Sequence, residues 1–155
     1  PLPEAQLDRF LVRLRLGYPD PHDERTLVTR MLAGHPLEEL QPVAEPDQVM
    51  QLREVRRRVR VHESVVDYVN ALVRATRDHG DIVLGASPRA AIALARVSQA
   101  LAVVRGRLYV TPDDVKHAAV PVLSHRLVLK PLARVRGQTG EGVVREVLSR
   151  VPVPV

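Results

Sequence analysis

The stretch from Pro88 to Arg105 is apolar on most sides of a helix: Ala91, Ile92, Ala93, Leu94, Ala95, Val97, Ala100, Leu101, Val103 and Val104. A helix with so little polar face has to be surrounded. This one is expected at the centre of a bundle, its alanines letting neighbours approach closely. Its start is equally well marked. In Gly85-Ala86-Ser87-Pro88-Arg89, Ser87 reads as the N-cap, Pro88 as the first helical residue, and Gly85 as the point where the preceding chain turns. Arg89 then places a cation in the first turn, and Ala90, Ala91 and Ile92 supply no carboxylate to neutralise it. The helix macrodipole disfavours that cation by roughly 0.3–1 kcal/mol. Locally, Arg89 is either an anion site, with phosphate the usual anion, or an arginine that reaches a distant carboxylate or stays solvated.

The rest of the core has to be built from Val, Leu and Ala, because aromatic residues are only 3% of the 155. The same scarcity removes the stacking platforms that single-stranded nucleic acid needs. The absence of cysteine excludes disulfides, thiolate-ligated zinc and thiol catalysis, and fits a reducing, cytoplasmic setting. No apolar run approaches the length of a membrane span. The chain opens Pro-Leu-Pro-Glu rather than with Met, so it is expected to be part of a longer protein. Net charge is +5, and of 23 basic residues only Lys116 and Lys130 are lysines. Such arginine dominance suits planar recognition of phosphate or carboxylate, or reflects compositional bias.

Along the chain, Phe10 to Leu16 alternates apolar and basic residues and predicts a half-buried strand. Pro21 to Ala33 predicts a helix with Leu27, Val28, Met31 and Leu32 at helical spacing and Gly34 at its end. His35 to Pro46 holds three prolines and reads as a linker. A helix from Asp47 is expected to turn Val49, Leu52 and Val55 inward and Arg53, Arg56, Arg57 and Arg58 outward. Val65, Val66, Val69, Leu72, Val73 and Thr76 mark one buried face of the next helix, with Ser64 and Asp67 as a capping pair. Thr111-Pro112-Asp113-Asp114 opens a helix to about His125. A short strand is expected at Leu127–Leu129, a polar loop from Arg134 to Gly140, and a last helix from Glu141 to Arg150.

Other constellations are weak. Gly137-Gln-Thr-Gly140-Glu-Gly142 lacks the Lys-Ser/Thr of a P-loop and reads as a flexible loop. The six histidines never share one helix face at metal-ligand spacing, so no metal site is expected. Arg53 to Arg60 packs five arginines into eight residues, as a solvated face or as a surface for nucleic acid or an acidic protein. In Leu7-Asp8-Arg9-Phe10, Leu7 and Phe10 are expected inward and Asp8 and Arg9 outward, with Arg9 pairing to Asp8 or Glu4.

Taken together, Leu2-Pro-Glu-Ala-Gln-Leu-Asp-Arg-Phe10, Gly17-Tyr-Pro19, Gly85-Ala-Ser-Pro-Arg89, Gly106-Arg-Leu-Tyr-Val-Thr-Pro-Asp-Asp-Val115, His125-Arg126 and the closing Val151-Pro-Val-Pro closely resemble the MoxR-type AAA+ ATPases, in order and spacing along nearly the whole chain. The resemblance is to that family's C-terminal half. It implies a mainly α fold, a helical lid bundle (residues 37–155) preceded by a strand-helix remnant of the αβα ATPase core (residues 1–36). It implies that Arg89 is the sensor-2 arginine, with Ser87 and Pro88 beside it at the nucleotide. It implies that Arg9 is an arginine finger offered to a neighbouring subunit. ATP and Mg²⁺ would be bound by the full-length parent and not by this piece alone. The implied partners are the AAA+ core of the same or a neighbouring subunit, in a homo-hexamer, and a client protein remodelled in chaperone fashion. The rival reading, from charge alone, is a basic helical module that binds nucleic acid or another protein.

Overall fold

The structure is a computed structural model that describes residues 3–154, apart from the side chains of Glu4, Ala5, Pro36 and Glu38. Contacts group the chain into two compact units, one of Pro1–Arg13 with Glu54–Val155 and one of Leu14–Arg53. In chain order the elements are α1 (Glu4–Leu7), α2 (Pro21–Ala33), α3 (Pro46–Arg58), α4 (Glu63–Arg77), β1 (Ile82–Leu84), α5 (Pro88–Val104), α6 (Pro112–Leu123), β2 (Val128–Leu129), α7 (Pro131–Val135) and α8 (Gly140–Arg150). The mainly α class expected from the sequence holds.

In the larger unit α5 is central, as its apolar sides require. It packs chiefly against α6 and then α4, while α8 closes over α6 and α4. Ala90, Leu94 and Ala102 of α5 are fully buried together with Leu72, Val115, Val122, Leu123 and Val143. The core is therefore aliphatic, with Tyr68 (3% exposed) its aromatic member among the described residues. Val66, expected on the buried face of α4, is 42% exposed, and Tyr68 takes a place in the core. β1 and β2 pair antiparallel, Ile82 opposite Leu129 and Leu84 opposite Val128, with an irregularity between. The short strand expected near residues 127–129 is present, and the supposed loop after Arg134 begins inside α7.

Local chemistry explains the helix boundaries. The capping pair expected at Ser64 and Asp67 is not what starts α4. His62 is its N-cap, its Nδ1 accepting from the Ser64 N–H at 3.3 Å. Gly106 ends the α5 segment at φ 71°, a left-handed conformation that glycine adopts at no steric cost. Its N–H donates to the Val103 carbonyl, and the Arg107 N–H to that of Ala102. Gly140 opens α8 where a Cβ would collide with the Ser124 carbonyl oxygen, so the glycine there answers to packing rather than to loop flexibility.

The strand expected at Phe10–Leu16 does not form. Residues 10–16 have no ladder partner among the described residues. Leu11, Leu14 and Leu16 are 52%, 74% and 94% exposed. A strand exists only by pairing, and alternation specifies which face would be buried but not what would cover it. The unit Leu14–Arg53 shows the same lack of cover. α2 forms with the expected bounds, Asp20 capping it by accepting from the Asp23 N–H at 2.8 Å, yet it buries no residue. α3 likewise buries none, so Val49, Leu52 and Val55, expected inward, are exposed. The Pro-rich linker contains a single 3₁₀ turn, Pro36–Glu39.

Candidate functional site

The turn into α5 is held from below by α4. Ala86 is buried, and both of its backbone polar groups are satisfied by α4 side chains. Its N–H donates to Thr76 Oγ1 at 3.0 Å, and its carbonyl accepts from Arg77 Nε at 2.9 Å. A Cβ on Gly85 would lie 2.6 Å from Arg77 Cα and 2.8 Å from its N. Gly85 is therefore demanded by the approach of two backbones, not by turning freedom, and its φ is ordinary among the described residues.

Ser87 has the extended backbone of an N-cap, but its side chain makes no capping bond. Its hydroxyl instead donates to the Asp8 carboxylate, 3.0 Å from each oxygen. The expected cap is thus a cap in backbone only. Pro88 takes the first helical position and is exposed. Arg89 is exposed in a first turn without an acidic residue, and among the described residues it makes no hydrogen bond or ion pair. Of the alternatives left open for Arg89, the one in which it reaches a distant carboxylate finds no partner among those residues.

Asp8 was expected to face outward. It turns inward, its side chain 25% exposed, onto Arg126, whose own side chain is 2% exposed. Arg126 Nε lies 3.3 Å from Asp8 Oδ1, off the line of a hydrogen bond. The two terminal nitrogens donate to main-chain oxygens: Nη1 to Val122 at 3.0 Å, and Nη2 to Asp8 at 3.2 Å and to Phe10. The Phe10 carbonyl also accepts from His125 Nε2 at 3.1 Å. That bond puts the imidazole proton on Nε2 and leaves Nδ1 buried without a partner among the described residues. Burial pushes the His125 pKa down, and the neighbouring Arg126 charge acts in the same direction. Burial also lowers the Arg126 pKa; the Asp8 carboxylate opposes this and the charge of Arg89 adds to it. Arg89 is thus near enough for its field to be felt at the buried guanidinium.

Arg9 is exposed, and its side chain has no partner among the described residues. Its expected partner Asp8 is engaged elsewhere, and the side chain of Glu4, the alternative, lies outside the described residues. Phe10, expected inward, is 54% exposed; its carbonyl rather than its ring is the anchored part. An open cleft of about 520 Å³ runs along this region, lined by Asp8, Arg77, Ser87 and Arg126 among others.

The structure therefore gathers Asp8, Ser87 and Arg126 into one network, with Arg9 next to one end of it and Arg89 two residues from the other. Sequence reasoning missed Thr76, Arg77 and Arg126 as parts of the site. The only signal was the His125-Arg126 pair, which carries no spacing rule of its own. A second network braces the start of α6. Asp114, fully buried, accepts from Arg105 at 2.7 Å, from Arg107 at 2.6 and 2.8 Å, and from the Thr111 N–H at 2.9 Å. Burial alone would raise its pKa, but the hydrogen bonds from Arg107 and Thr111 outweigh burial and hold the carboxyl well below its ordinary range.

Among the described residues no group of three or more His, Cys, Asp or Glu side chains could hold a metal ion, and no helix is long and apolar enough to cross a membrane. The comparisons with known proteins agree with one another. Residues 74–147 match the family model described as an AAA lid domain. The chain is 45% identical over 156 residues to the uncharacterized protein YeaC of Bacillus subtilis (strain 168), covering 100% of this chain and 48% of YeaC. It is 38% identical over 163 residues to the chaperone MoxR1 of Mycobacterium tuberculosis, covering 99% of this chain and 43% of MoxR1. The crystal structure of a candidate ATPase from Cytophaga hutchinsonii superposes with a TM-score of 0.92 at 33% identity, over 100% of this chain and 50% of that one. The chain spans about half the length of the curated relatives it matches. A lid-domain match, likeness along 99% of this chain to part of a MoxR chaperone and a close structural match to half of a candidate ATPase lead to one conclusion: the chain belongs to the MoxR-type AAA+ ATPases and carries their C-terminal, lid-bearing region.

Proposed function

We propose that the full-length protein is a cytoplasmic ATP hydrolase that works as a homo-hexameric ring and remodels client proteins. In this reading residues 1–36 complete the αβα core and residues 37–155 form the lid. The exposed apolar face of α2, with Leu27 at 57% and Leu32 at 85%, supports a stretch that other residues of the parent cover. Arg89 contacts nucleotide phosphates from the lid, with Ser87 and Pro88 setting the helix start that presents it. Arg9 is the finger extended toward a neighbouring subunit's nucleotide. The observation that carries the reading is the state of these two arginines: both are exposed and unpaired among the described residues, and both flank one hydrogen-bonded network.

The residues fit one part of the ligand and not the other. Arg89, a free guanidinium at the positive end of a helix without acids in its first turn, suits a phosphate. For Mg²⁺ the described residues offer no donor set. That ion, which would neutralise phosphate charge when bound, is assigned to residues of the parent outside this chain. The role left to this chain is electrostatic: planar guanidinium groups placed where charge develops on the transferring phosphoryl group.

Arg9→Ala in the full-length protein is expected to lower kcat by roughly 10³-fold, the lower end for such fingers. Rings mixed from Arg9→Ala subunits and subunits with a disabled phosphate-binding loop should regain part of the turnover, because a finger acts on its neighbour. Arg89→Ala should also lose turnover, while the purified 155-residue chain should hydrolyse no ATP. Near wild-type turnover in both arginine variants would overturn the assignment.

A further inference from the structure

The role proposed for Arg89 uses Ser87 only as the start of α5, and neither arginine's role uses Asp8 or Arg126, yet these three form the most closely connected polar network beside them. Arg126 is buried and charged, and its fork spans three main-chain carbonyls and one carboxylate. Two of those carbonyls, of Asp8 and Phe10, lie on either side of Arg9 in the chain. The Arg9 N–H donates to Gln6 at 3.1 Å, and His125 holds Phe10 a second time. The Arg9 backbone is thus fixed on both sides while its side chain is left free. At the other end the Ser87 hydroxyl has given up the capping role that its position offers and binds Asp8 instead. A buried ion pair contributes little net stability compared with apolar packing. What a planar donor fork supplies is directional geometry.

We infer that Asp8, Ser87 and Arg126 form a positioning clamp that joins the Arg9 segment to the start of α5, so that Arg9 and Arg89 move as one body. The inference rests on the reading of Arg9 as finger and Arg89 as phosphate sensor. Under it, a nucleotide engaged by Arg89 in one site sets the placement of Arg9 at the next. That is a coupling between two sites through one shared element. In this role the three clamp residues act through the arginines they hold and not on the nucleotide.

The test uses the full-length protein in its assembled state. Removal of Arg126 takes a donor or counter-charge from a carboxylate and three carbonyls and can unfold the region, so the informative variant is Ser87→Ala, which deletes one half-buried hydroxyl, with Ser87→Thr as the conservative control. Hydrogen exchange at residues 8–13 is measured with and without a non-hydrolysable ATP analogue. Wild type and Ser87→Thr should show at least fivefold slowing there when the analogue binds. Ser87→Ala should lose that response while its KM for ATP stays within about twofold and its kcat drops by about tenfold. In the kinetic cycle, Arg9→Ala and Arg89→Ala should be non-multiplicative in the parent and multiplicative within about twofold in the Ser87→Ala background. An analogue response and cycle in Ser87→Ala identical to wild type overturn the clamp alone, provided the single arginine variants lose turnover. If those single variants keep full turnover, the arginine roles fail and the clamp's function falls with them.

Discussion

Asp114 shows how much a single buried charge can organise. Three arginine N–H groups and both donors of Thr111 converge on it, and its carboxylate is fully buried. Replacing it by Asn leaves Arg105 and Arg107, both partly exposed, facing a neutral group, and is expected to destabilise the larger unit by about 1–3 kcal/mol, the usual range for losing charged hydrogen bonds at a buried acceptor. The pH dependence has a definite sign. The folded-state pKa of Asp114 is depressed, so its contribution is complete above the unfolded value of about 3.9 and drains away as pH falls toward the folded value. His125 is depressed as well, mainly by burial, so its contribution is complete above about 6.5 and is lost below that. Urea midpoints between pH 7 and pH 3 should therefore fall in two stages. The gap between wild type and Asp114→Asn should narrow only below about pH 4.

Among the elements, α5 was the most legible. Its all-round apolar pattern required a central place, and Pro88 and Gly106 marked its limits; the structure agrees at both. The reason for Gly85 was not legible, because it lies in α4, whose backbone at Arg77 leaves no room for a Cβ. Gly85→Ala is expected to push α4 and the α5 turn apart at a cost of about 1–3 kcal/mol, the usual range for overpacking. In thermal unfolding that is a loss of several degrees for a unit of this size. Leu94→Ala, which empties a fully buried site in the same helix, should cost about 2–5 kcal/mol. The two variants separate in the network beside the site. Gly85→Ala disturbs the hydrogen bonds that clamp Ala86, whereas Leu94→Ala lies in the aliphatic core.

At the scale of the whole chain, the two compact units differ in how far they complete themselves. The larger has an aliphatic core through α4, α5, α6 and α8. In the other, Leu14–Arg53, α2 forms with well-defined caps and no buried residue, and α3, which begins in it, buries none either. Helices of this length are marginal in water without tertiary burial of one face. Hydrogen exchange on the 155-residue chain should therefore show residues 21–33 exchanging at least tenfold faster than residues 88–104. Residues 21–33 should become protected in the full-length protein, where the proposed core covers them. Equal protection in both settings would show that the stretch is stable without added cover.

The sequence alone determined helix positions, the aliphatic character of the core and the family, because periodicity, caps and short motifs are local properties of neighbouring residues. It also singled out Arg89 as a cation without a local partner, but it paired Arg9 with Asp8 or Glu4. Only the tertiary structure decided where the neighbouring polar groups went. Asp8 turned in to Arg126, more than a hundred residues away in the chain, and Ser87 left its cap for Asp8. It also decided that the alternating run at Phe10–Leu16 stays unpaired here. Hydrogen bonds and strand pairing between distant segments depend on which surfaces meet, and no local pattern records that.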